Sequence, residues 1–235
     1  MTRLAISYLW LLLVASFAYA QEVTFTARVA WTNEAVPSQA GVVVWLTPVD
    51  NTQIQTDASA KLDHLSLVQK NKTFQPHLLV VPVGAVVDFP NHDPFFHNVF
   101  SLFEGKRFDL GLYEAGTTRE VHFNRPGVSY IFCNIHPEMS AVVIAIPTTY
   151  YAISDTFGQI VIPNVSVGRY QMHVWYEGVQ QDELDAMTRE ITISQRNSTV
   201  GVLRLKQPST MQPHKNKYGR EYDPPTPSTP GYEQP

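Results

Sequence analysis

Apolar and polar residues alternate with a period of two along most of this chain, which predicts strands rather than helices. The pattern is clear over residues 23–49, a stretch rich in Val, Thr and Trp. The polar turn Asn33-Glu34-Ala35-Val36-Pro37 breaks it, so it reads as two strands in a hairpin-like arrangement. Over 66–147 the β pattern continues, through 78–89 and into the unbroken apolar run 141–146. Short strands follow at 158–162, 170–176 and 190–193, with turns at 155–158 and at Val167-Gly168. Strands and turns at this spacing predict an all-β chain of sandwich type. Only 181–189 has a helical look, and it fits a polar loop equally well.

The two ends depart from this pattern. Arg3, the apolar run 9–15 and the closing Ala18-Tyr19-Ala20 form a secretory signal over 1–20 with a small-residue cleavage site. Its apolar stretch is short for a spanning helix. The mature chain is therefore expected to start at Gln21, to be periplasmic or secreted, and to keep no membrane span. From Lys206 apolar residues almost vanish and prolines cluster, as in Pro224-Pro225-Thr226-Pro227. Such a segment cannot bury enough surface to offset its ordering entropy, so 206–235 is expected to be a disordered, solvated tail.

Composition narrows the classes. With 44% hydrophobic and 16% charged residues the chain can bury a core, and its 235 residues suit two small domains or one large sandwich. A net charge of -4 with no basic run excludes a nucleic-acid footprint. The single cysteine, Cys133, excludes an intramolecular disulfide framework, a zinc site of several thiolates, a C-x-x-C redox motif and a cysteine-ligated iron-sulfur cluster.

The chemistry concentrates in Phe132-Cys133-Asn134-Ile135-His136-Pro137-Glu138-Met139, a strand running into a tight loop. Thiol, imidazole and thioether are soft or borderline donors, a mixture that suits copper rather than magnesium, calcium or manganese. A second imidazole completes a His₂Cys set with a weak axial methionine, and His97, opening the strand Asn98-Val99-Phe100, is the candidate. Pro137 restricts His136 to extended conformations and stiffens the loop. His92 is the competing ligand, but Asn91, Asp93 and Pro94 around it read as a turn. His64, His77, His122, His173 and His214 have no partner spacing and are expected at the surface or in packing roles. No H-x-H pair occurs and no second cysteine exists, so one mononuclear copper is expected.

His97-Asn98-Val99 together with Cys133-x-x-His136-x-x-Met139 resembles the blue-copper, or cupredoxin, family, with the ligand loop in its shortest, amicyanin-type form. The resemblance covers 66–147. It implies a Greek-key β-sandwich and one copper cycling between Cu(I) and Cu(II). His97, Cys133 and His136 would be its trigonal ligands and Met139 the axial one, with Asn98 tying the ligand loops together and His136 the electron exit. Ser129 departs from the family, which commonly has an aromatic there. Separately, 151–160 and the turn Val167-Gly168-Arg169-Tyr170 resemble carboxypeptidase regulatory-like, transthyretin-type sandwiches. The domain reading is then a signal at 1–20, first strands of this second small sandwich at 21–60, a cupredoxin at 66–147, the rest of the sandwich at 148–205, and the tail at 206–235. Two consecutive domains with an N-terminal extension are the alternative to insertion.

The function expected is single-electron carriage rather than catalysis, with a redox partner such as a c-type cytochrome or a periplasmic dehydrogenase. Two other readings stay open: a copper carrier, although only Met139 of five methionines sits in the motif, and a structural binding module with a vestigial metal site.

Overall fold

The computed structural model describes residues 21–32, 38–50, 65–102, 105–206, 208 and 214–222. The expected signal at 1–20 and the turn at 33–37 lie outside them. Strands β1 (Glu22–Trp31) and β2 (Val43–Pro48) come first. Next are β3 (Leu65–Ser66), β4 (Val68–Lys70), β5 (Thr73–Gln75), β6 (Leu78–Pro82) and β7 (Ala85–Pro90). They lead into β8 (His97–Ser101), β9 (Phe108–Tyr113), β10 (Thr118–Phe123), β11 (Gly127–Cys133) and β12 (Ser140–Ile146). The last group is β13 (Tyr151–Ile153), β14 (Gln159–Ser166), β15 (Gly168–Trp175), helix α1 (Gln181–Met187), β16 (Arg189–Ile193) and β17 (Thr199–Leu205).

Two sets of sheets result. The first and last strands form the sheets β14-β1-β17 and β13-β2-β15-β16, which enclose Phe25, Val29, Leu46, Ile160, Ile162 and Met172. The predicted hairpin of β1 and β2 is not formed. Both edges of β1 are taken, by β14 antiparallel and β17 parallel. The inward residues of β1 and β2 instead meet across the core from opposite sheets. The strands between them form the sheets β6-β12-β11-β8-β9 and β10-β7-β3 and the hairpin β4-β5. Their core holds Leu67, Phe89, Val99, Phe123, Ile131, Met139 and Val143. Among the described residues no strand of one group pairs with a strand of the other.

The unbroken apolar run 141–146 finds its reason here. Ala141, Val143 and Ala145 face the strand's own core, while Val142, Ile144 and Ile146 pack with Val43, Trp175 and Leu184 of the other sandwich. A strand buried on both faces reads as continuous rather than alternating. Each such Val or Ile removes apolar surface from water worth about 1.5–3 kcal/mol. The segment 181–189, ambiguous between helix and loop in sequence, contains helix α1, whose Leu184 is buried in this contact. Of the tail, 214–222 is among the described residues and contacts the end of β11, Asn134 after it and Asp109 of β9. His214 stacks on Phe132 with ring centroids 4.0 Å apart, and Tyr222 Oη donates to the Cys133 carbonyl at 2.8 Å.

Candidate metal centre

Strand register brings the first two donors together. β8 opens at His97 and β11 ends at Cys133, and the two strands run antiparallel with Cys133 opposite Val99. Side chains two apart on a strand share a face, so His97, Val99 and Cys133 all point inward, with His97 a diagonal neighbour of the thiol. Beyond Cys133 the chain folds back on itself. The Met139 N–H donates to the His136 carbonyl at 3.0 Å, and the Cys133 N–H donates to the Met139 carbonyl at 3.3 Å. The Asn134 N–H donates to the Asn98 carbonyl at 3.0 Å, fastening the loop to β8. His136 is thereby carried back over Cys133.

Three donor atoms converge. Cys133 Sγ is 3.6 Å from His97 Nδ1 and 3.6 Å from His136 Nδ1, and the two nitrogens are 3.1 Å apart. The centre of that triangle lies about 2.0 Å from each corner, close to the roughly 2.0–2.3 Å at which imidazole and thiolate hold a metal ion. His97 and Cys133 are fully buried, and His136 is half-buried. Burial lowers the pKa of both histidines, which keeps them neutral with a lone pair to offer. Burial also raises the Cys133 thiol, against backbone N–H groups of Asn98, Ile135 and His136 that favour the thiolate. The three donors would together hold a soft cation, with Cys133 as the thiolate. The residues present therefore fit copper. Phe95 flanks both imidazoles, with ring centroids 5.3 and 5.5 Å away.

His97, Cys133 and His136 are the only such cluster of three His, Cys, Asp or Glu among the described residues. Met139 is fully buried in the same apolar cluster as Cys133, and its main chain closes the loop. His92 is exposed, outside the triangle. His173 stacks on Trp45, His77 pairs with Glu177, and His214 packs on Phe132. Asn98 does tie the two ligand segments, but through its backbone carbonyl. Its side-chain amide donates to Asp109 Oδ1 at 2.8 Å. Ser129 is completely buried and accepts the Lys106 N–H at 2.8 Å. Gly105 lies so close that a Cβ there would be 2.7 Å from Ser129 Oγ, which leaves no room for an aromatic ring.

Sequence reasoning misses two features. One is Asp93, whose Oδ2 is 2.9 Å from His97 Nε2. In the sequence it reads only as part of a turn; an acid four residues before a candidate ligand is the available signal. The other is the 214–222 segment, in which Lys217 donates its N–H to Asn134 Oδ1 at 3.0 Å and its Nζ to Asp109 Oδ2 at 2.9 Å. Proline-rich composition hides it.

No protein-family model matches the chain, and no curated protein matches it. Among solved structures it is similar to the Cu-containing nitrite reductase of Thermus scotoductus SA-01, at 23% identity and TM-score 0.34, over 35% of this chain and 22% of that one. It is similar to a purple cupredoxin from Nitrosopumilus maritimus at 24% identity and TM-score 0.32, over 35% of this chain and 99% of that one. A variant of amicyanin matches at 17% identity and TM-score 0.34, over 35% of this chain and 82% of that one. The chain thus spans under a quarter of the reductase. In class it is a β-rich protein of several sheets with a His-Cys-His candidate metal site.

Proposed function

We propose that the chain is an exported type 1 copper protein that carries single electrons between redox partners, with one copper held by His97, Cys133, His136 and Met139. The observation that carries this reading is the convergence of two imidazole Nδ1 atoms and one thiol on a point about 2.0 Å from each. Copper, when bound, supplies a reversible one-electron couple. Cys133 would hold the metal as a thiolate, the form that the N–H groups around it favour. The backbone bonds from Asn134 to Asn98 and from Cys133 to Met139 fix the ligands and limit rearrangement when the charge changes. Burial of His97 and Cys133 keeps water out. His136 is the least buried of the three, which makes its ring edge the exit for the electron. Met139, buried in the same apolar cluster as Cys133, would supply the fourth, thioether donor of this reading.

The same reading makes the chain a carrier rather than an enzyme, with a c-type cytochrome or a periplasmic dehydrogenase as partner and 1–20 as its export signal. It takes 21–60 and 148–205 as one sandwich interrupted by the copper module, a division supported by the pairing of β1 and β2 with β13 to β17. No helix among the described residues is long and apolar enough to cross a membrane. Adding Cu(II) to the chain from Gln21 onward should give an intense thiolate-to-copper visible band with narrow copper hyperfine splitting, and Cys133→Ser should abolish it. Copper bound without that band would overturn the assignment.

A further inference from the structure

The His97 ring has two nitrogens, and only Nδ1 faces the donor triangle. Its Nε2 faces Asp93 Oδ2 at 2.9 Å. Asp93 is only 5% exposed, and its oxygens are already engaged. Oδ1 accepts the Asn71 N–H at 2.6 Å and Oδ2 the Lys72 N–H at 2.9 Å. Those two residues form the turn between β4 and β5, and both have positive φ, 55° and 54°. That two-residue turn, of the type in which both central residues take positive φ, aims successive N–H groups at one carboxylate. The loop carrying Asp93 is fastened as well. Asn91 Oδ1 accepts the Asp93 N–H at 3.0 Å, and Asn91 Nδ2 donates to the Phe95 carbonyl at 2.8 Å.

The Asn71 N–H, the Lys72 N–H and the His97 ring thus converge on one carboxyl group, a set of donors that suits an acceptor-only carboxylate. No lysine or arginine side chain forms an ion pair with it among the described residues. A carboxylate facing Nε2 needs a hydrogen there, which leaves Nδ1 bare toward the metal. Its charge then sits buried directly behind the ligand, while the Lys72 ammonium stands farther off, 5.4 Å above the Phe95 ring centroid.

We propose that Asp93 is a positioning residue that sets the reduction potential of the copper site, by fixing His97 with Nδ1 toward the metal and by placing a negative charge behind the ring. That charge favours the more positive Cu(II) state over Cu(I), so Asp93 lowers the potential. The proposal rests on the copper reading above. Asp93→Asn keeps the shape and removes the charge, while Asp93→Glu keeps the charge.

In the copper-loaded protein, D93N should retain the blue band and raise the midpoint potential by at least the equivalent of a tenfold shift in the Cu(II) to Cu(I) ratio, about 59 mV for one electron. D93E should stay nearer the parent. A blue D93N protein with the parent potential overturns the proposal and leaves the copper reading standing. A parent protein with no blue band overturns the copper reading instead. NMR of the unsubstituted, zinc-loaded chain tests the positioning without colour and without a variant that has to fold. A slowly exchanging proton on His97 Nε2, held in the hydrogen bond to Asp93, is expected, and a rapidly exchanging one would overturn the role of Asp93.

Discussion

Gly105 is a residue whose side chain is excluded twice over. Its φ of +82° lies in the left-handed region, and a Cβ there would stand 2.5 Å from the Val128 carbonyl and 2.7 Å from Ser129 Oγ. The close approach seats the Lys106 N–H on Ser129 and the Gly105 carbonyl under the Arg125 guanidinium. Gly105→Ala should therefore cost about 1–3 kcal/mol, from backbone strain and from displacing Val128. A urea midpoint lowered at unchanged slope would check it; an unchanged midpoint would mean the segment relaxes freely. Ser129 is legible in the sequence as a departure from the family resemblance, but its cause is not. That cause is a glycine whose approach to β11 depends on tertiary structure. Asp93 escapes for a related reason. Its turn position is readable, whereas the N–H groups of Asn71 and Lys72 that hold it come from a separate hairpin.

Elements are legible where burial is simple. β1 shows period-two alternation because one face meets one core, with Phe25, Ala27, Val29 and Trp31 inward. Which sheet a strand joins is not legible from alternation, which is why β1 and β2 look like a hairpin in the sequence. Alternation fixes the buried face and leaves the partner edge open. The loop from Cys133 to Met139 is the most readable element, since thiol, imidazole and thioether within seven residues form a compact donor pattern. The 214–222 segment is the least readable, because it is held by specific polar contacts rather than by an apolar face. It covers Phe132, which is only 3% exposed, and its Tyr222 hydroxyl is the donor to the Cys133 carbonyl. Burial raises the Tyr222 phenol pKa, so it remains a donor at neutral pH. Tyr222→Phe should lower stability by about 1 kcal/mol, the usual worth of one such bond. Matched denaturant curves of the two proteins would measure it, and equal midpoints would show that water replaces the phenol.

At the scale of the whole molecule, the two sandwiches meet through β12, β6, β2, β15 and α1, and a polar bridge stands beside that apolar contact. His77 Nδ1 is 3.1 Å from the Ser140 carbonyl, and its Nε2 is 2.6 Å from Glu177 Oε2. Both partners are acceptors, and an imidazole donates from both nitrogens only when protonated. The hydrogen bond that His77 donates to Glu177 is accordingly the largest influence on its pKa, raising it against the opposing effect of burial. A histidine whose folded pKa lies above its unfolded value of about 6.5 contributes stability that is full below about pH 6.5 and is lost as pH rises through the folded pKa. The His77 side chain is 53% exposed, so solvent screening holds the contribution under about 1 kcal/mol. Glu177→Gln should remove it, and the stability difference from the parent should be largest below about pH 6.5 and vanish at alkaline pH. Urea titrations of both proteins across that range measure the difference directly. A gap that stayed constant or widened with pH would show that Glu177 acts by packing rather than by charge. Ser140 follows Met139 directly in the chain, so this bridge is where the second sandwich grips the end of the ligand loop. Its loss at high pH should reach the site as a small spectral shift in the loaded protein, absent from the Glu177→Gln variant.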